Sequence, residues 1–69
     1  MEEFRIKDDF IKLGQAMKAA NLVSNGADAK FLIQDGEVCV NGSVETQRGK
    51  KLREGDVISY NGKEVKIIK

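Results

Sequence analysis

The stretch KFLIQDGEVCVNG, Lys30 to Gly42, changes its hydrophobic period partway along. Up to Gln34 the apolar residues follow helical spacing, with Leu32 and Ile33 continuing a stripe begun by Ala29. Gly36 stands where a helix turns off through a left-handed residue. Beyond it Val38 and Val40 alternate with Glu37, Cys39 and Asn41, the period of a strand. Asn41-Gly42 then supplies two residues that tolerate positive φ, the strongest short signal for a tight hairpin. The stretch therefore predicts a helix end, a stop, a strand and a turn in immediate succession.

Upstream of it, Asn25 is placed to cap this helix, with Asp28 three residues on. Further back, Asp8-Asp9 offers a cap for a longer helix over FIKLGQAMKAANL, Phe10 to Leu22. On a helical wheel Phe10, Leu13, Ala16, Met17 and Ala20 share one side of it, and Lys12, Gln15 and Lys18 the other. Gly14 in mid-helix costs about 1 kcal/mol relative to Ala, and suggests close approach of another backbone or a ligand. Phe4 to Ile6 reads as a short opening strand. Downstream, Ser43 to Thr46 is the return strand of the hairpin, and Gln47 to Glu54 a polar, basic loop. VISY and KEVKIIK, joined at Asn61-Gly62, form a second hairpin.

The fold class is α+β: two short helices packed on one face of a small, mostly antiparallel sheet of hairpins. Its expected core is Leu13, Met17, Ala20, Ala29, Leu32, Ile33, Val38, Val40, Val44, Leu52, Ile58 and Ile67. With 69 residues, 41% hydrophobic and 33% charged, the chain reads as a single domain over residues 1–69. No apolar run approaches the ~20 residues of a membrane span. The charged start MEEFRIKDDF lacks a signal-peptide core, so the cytoplasm is the expected compartment.

The chemistry-bearing inventory is narrow. There is no histidine, and Cys39 is the sole cysteine, so neither a zinc site nor a Cys-His nucleophile is foreseen. Cys39 reads as a small strand residue between two valines. No cofactor and no enzymatic activity are expected. The formal net charge is only +1, but its distribution is uneven. RGKKLR places Arg48, Lys50, Lys51 and Arg53 within six residues, where mutual repulsion is relieved by a bound anion or by solvent. Phe31 falls off the apolar stripe. Packing beneath the first helix or against the sheet is its expected place, stacking on a nucleobase the alternative. Tyr60 is expected in the core or at its rim.

Taken together, the two helices, A-K-F-L-I-Q-D-G-E-V-C-V-N-G and L-R-E-G-D-V-I resemble the RNA-binding domain named after small-subunit ribosomal protein S-four. The resemblance covers Phe10 to Ser59, and the L-G-Q and R-G-K-K-L segments look closer still to small bacterial stand-alone members. It implies an αL-motif fold in which the helix pair and adjoining hairpin face structured RNA, ribosomal or transfer RNA being the expected partner. Carried over, it implies RNA contacts from Lys12, Gln15 and Lys18 on the first helix and Lys30 on the second. Arg48, Lys50 and Lys51 match the basic stretch of the stand-alone group. Many members carry arginine where this chain has Gly26, which shifts weight to Asn25, Lys30 and the basic loop. The expected protein is a monomer that touches no membrane. The competing reading is a protein-interaction module or ribosome-associated adaptor.

Overall fold

A computed structural model describes residues 1–69. It contains seven strands and two helices: β1 (Glu2–Arg5), β2 (Ile11–Lys12), α1 (Leu13–Ala19), α2 (Gly26–Gln34), β3 (Val38–Val40), β4 (Ser43–Val44), β5 (Lys51–Leu52), β6 (Val57–Tyr60) and β7 (Lys63–Ile68). Five strands form one sheet in the order β1-β7-β6-β3-β4; β2 and β5 pair separately. Every pairing is antiparallel except β1 with β7. The two helices and this mostly antiparallel sheet are the architecture expected from the sequence.

Both Asn-Gly pairs make their hairpins through positive φ, 52° and 84° at Asn41-Gly42 and 52° and 78° at Asn61-Gly62. Asn41 has a second task. Its side chain accepts from the Val57 amide (2.9 Å) and donates to Asp56 (3.0 Å), fixing the β3–β4 turn to the start of β6. Gly36, at φ 79°, ends the second helix as foreseen.

One sheet face carries Val38, Val40, Ile58 and Ile67, which meet Leu13, Ala16 and Met17 of α1 and Ala29 and Ile33 of α2 in one core. Helices of seven and nine residues are too short to persist alone, so this burial holds them in place. The core also takes in Ile6 and Ala16, and Val65 is buried beside it; none was in the expected list. Ala20 and Leu32 are only partly buried. Val44 is a plain error: it is 60% exposed. The two-residue turn sets Val40 opposite Ser43 and Cys39 opposite Val44, so Val44 must share the outward face of Cys39. Tyr60 packs at the rim of the core.

Other corrections concern the first third of the chain. The opening strand starts earlier, at Glu2, and stops at Arg5. The first helix is shorter than its pattern, because Phe10 precedes it and Ile11–Lys12 is a strand paired to Lys51–Leu52. Asp8-Asp9 does not cap it. Asp9 instead accepts a hydrogen bond from the Lys69 ammonium at 2.8 Å, an exposed ion pair. The segment read as a loop from Gln47 to Glu54 thus contains β5, and Leu52 is fully buried there.

Candidate nucleic-acid interface

The short α1 buries Leu13, Ala16 and Met17 and leaves Gln15 and Lys18 on its outer face, one turn apart. Lys12 is not on the helix, as the sequence had suggested, but at its N-cap at the end of β2; it still lies three residues before Gln15. Its side chain makes no cap. The Leu13 amide donates to the Lys50 carbonyl (2.9 Å) and the Gly14 amide to the Arg48 carbonyl (3.0 Å). The basic loop therefore sits directly on the start of α1. Gly14 is where the two backbones meet, as its place in mid-pattern suggested; a Cβ there would lie 3.6 Å from Arg48 Cβ, an ordinary contact.

This docking opens a cleft of about 300 Å³ between α1, α2 and the loop. Its walls are Lys12, Gly14, Gln15 and Lys18 from one side, Gly26 and Ala29 from α2, and Arg48 and Gly49 from the loop. Three cations and a carboxamide face it, and no carboxylate does. The chain's one ion pair, Asp9 with Lys69, lies outside this lining, so Lys12, Lys18 and Arg48 meet no acidic partner. Gly26 and Gly49 have nothing within 4 Å of where a Cβ would stand, which leaves the cleft open at both.

The remaining candidates are exposed but do not line this cleft. Asn25 caps α2, its Oδ1 accepting from the Asp28 amide at 2.9 Å, as the sequence foresaw. Lys30 is exposed on α2, and Lys50 in the loop. Lys51 places its ammonium 4.9 Å from the centre of the Phe10 ring. Sequence reasoning missed the glycine walls and Ala29 as part of the site. The hints were Gly14, read as a point of close approach, and Gly26, which stands at the family's arginine position. Phe31, expected to pack inside, is 63% exposed.

The geometry suits a polyanion. Three convergent cations without counter-charge raise the local potential, and Gln15 adds a donor and an acceptor for sugar or phosphate oxygens. No cluster of three His, Cys, Asp or Glu side chains is placed to hold a metal ion. No helix is long and apolar enough to cross a membrane.

A helix pair on a hairpin sheet, with a basic loop docked at the first helix, defines a small αL-motif fold. The S4 domain model matches residues 4–68, and the chain belongs to that family. It is 39% identical over 57 residues to "Probable ribosome maturation protein RlbA" of Bacillus subtilis (strain 168), covering 83% of this chain and 80% of that one. It is 32% identical over 62 residues to YbcJ of Escherichia coli (strain K12), covering 90% and 89%. The solution structure of Escherichia coli YbcJ, described as revealing an αL motif involved in RNA binding, matches with a TM-score of 0.77 at 31% identity. That match covers all of this chain (100%) and 89% of the other.

Proposed function

We propose that residues 1–69 act as one non-enzymatic RNA-binding domain, gripping structured RNA through the helix pair and the basic loop. The observation that carries this is the meeting of Lys12, Lys18 and Arg48, drawn from separate segments, at one cleft without a carboxylate. Phosphates occupy the cleft, Gln15 reads sugar or phosphate oxygens, and Asn25, Lys30, Lys50 and Lys51 extend the contact around it. Ribosomal or transfer RNA is the proposed partner, bound by a monomer in the cytoplasm. RNA as the partner is supported by relatives named for RNA binding and for ribosome maturation.

A filter-binding titration across salt concentrations tests it. Affinity for structured RNA falls as salt rises, and each lost phosphate contact lowers the log–log slope by about 0.7–0.9. Replacing Arg48, Lys50 and Lys51 together by Ala weakens binding to many RNAs alike while the fold persists. Adding Lys18→Ala lowers the slope again. A folded variant lacking all four cations that keeps the parent slope would refute the reading.

A second reading has its own observation. Phe31 and Val44 are large, apolar and more than half exposed, Val44 on an edge strand. Each is an exposed apolar position, and the open edge at β4 is one that another protein could pair with, as in a ribosome-associated adaptor. Under that reading RNA binding is weak and its salt slope ignores the basic loop.

A further inference from the structure

A second groove, of about 520 Å³, runs along the other flank of α1 and is lined by Phe4, Arg5, Lys7, Phe10, Gln15 and Lys18, among others. Gln15 and Lys18 line both hollows, so the groove continues from the basic cleft over the exposed face of α1. Its character differs. The cleft is walled by glycines and cations, whereas here aromatic and aliphatic side chains alternate with Arg5, Lys7 and Lys18. Asp8 is the one carboxylate on its edge.

Phe10 is the unusual member. It is only half-buried, and it is absent from the hydrophobic side chains that pack on the core, although Phe4 and Ile11 are among them. The core does not account for its place. Its ring instead lines the groove and carries the Lys51 ammonium at 4.9 Å, with the Arg53 guanidinium at 6.0 Å. An aromatic ring held among cations at the margin of a positive groove is the composition that binds single-stranded nucleic acid, with bases stacking and phosphates neutralised.

We infer that this groove takes an unpaired nucleotide flanking the structured RNA in the cleft, its base against Phe10 and its phosphates beside Lys7 and Lys18. The inference rests on the cleft holding RNA, and it extends the footprint to the segment from Arg5 to Phe10, to which the sequence assigned no RNA contact. Arg5 is partly committed, since its Nη1 donates to the Lys69 carbonyl at 2.8 Å, so Lys7 is the freer cation.

The test compares two fluorescently labelled RNA hairpins, one blunt and one bearing a short oligoadenosine tail. Wild-type protein binds the tailed RNA about tenfold more tightly than the blunt one, the scale of one base stacked on an aromatic ring. Phe10→Leu loses that gain, and Lys7→Gln reduces it along with its salt dependence. Both variants keep their melting curves and bind the blunt hairpin within about twofold of wild type. Equal wild-type affinity for the two hairpins overturns the groove and leaves the cleft standing. Tail-dependent binding that survives in a folded Phe10→Leu variant overturns it too. If wild type binds neither RNA, the reading of the cleft fails and the groove fails with it.

Discussion

The two helices begin in opposite ways. At α2 the start is written locally: Asn25, extended at φ −153° and ψ 171°, turns its side chain to the amide of Asp28. At α1 the residue before the helix supplies no cap, and the first amides donate to Lys50 and Arg48, more than thirty residues away. One helix is started by its neighbours in sequence, the other by a neighbour in space. The consequence is functional. The basic loop spends the Arg48 and Lys50 carbonyls on holding α1 and leaves those two side chains free, so the segment that completes the fold also brings Arg48 to the cleft.

The largest expected effect comes from undoing the distant start. Leu52 is fully buried and pairs with Ile11, which keeps β5 and the loop against α1. Leu52→Ala should cost about 2–5 kcal/mol, a large share of what so small a domain holds. Urea titration measures the loss. Hydrogen exchange sharpens it: the Leu13 and Gly14 amides should lose protection earlier than those in mid-α2. Equal loss along both helices would mean that the loop does not hold α1 separately.

At the start of α2 the opposite experiment is open, because Gly26 faces the cleft with nothing within 4 Å of a Cβ. Gly26→Arg should add a fourth cation and strengthen RNA binding several-fold. Its salt slope should steepen by about 0.7–0.9, one more phosphate contact. Stability should change little, since losing a glycine favours the helix while a cation in its first turn opposes the dipole. An unchanged slope would show that the RNA passes that end of the cleft without touching it. Asn25→Ala is the corresponding loss. Removing the cap should cost about 1 kcal/mol in a thermal or urea melt and leave α1 amide protection tracking the global stability.

This contrast also explains what was legible in the residues. The second helix, both Asn-Gly turns and the alternation of β3 were readable because each signal lies within a few residues of its effect. The β2–β5 pair, the late start of α1 and the parallel β1–β7 pairing depend on partners distant in sequence, which periodicity does not reveal. Phe10 fits the helical wheel and yet lies outside the helix, since pairing of Ile11–Lys12 with β5 takes precedence over a marginal first turn. Val44 was legible in principle: the two-residue turn fixes the register, and the register fixes its outward face. At the site, residue type identified Lys12, Gln15, Lys18 and Arg48, but the glycine walls are a property of packing. Asn25, Lys30, Lys50 and Lys51 were proposed on the same grounds, and nothing in the sequence could sort the candidates by distance from the cleft.

The smallest expected effect concerns Asp9, first read as a cap for α1. Its carboxyl is held below the usual aspartate range by the hydrogen bond from Lys69 and then by that ammonium's charge; the same bond and charge raise the Lys69 amine. A depressed carboxyl contributes stability that is present above its unfolded value, about 3.9, and is lost as pH falls below it. The raised amine contributes below its own unfolded value, about 10.4, and that part is lost as pH climbs further. Between those limits the contribution is flat. Both groups are open to water, so screening keeps it small. Asp9→Asn should lower the melting temperature only slightly at pH 7 and at low salt, with the difference shrinking near pH 3 and again in high salt. A helix cap would behave differently. Asparagine caps about as well as aspartate, so a true cap at Asp9 would make the substitution nearly silent at pH 7.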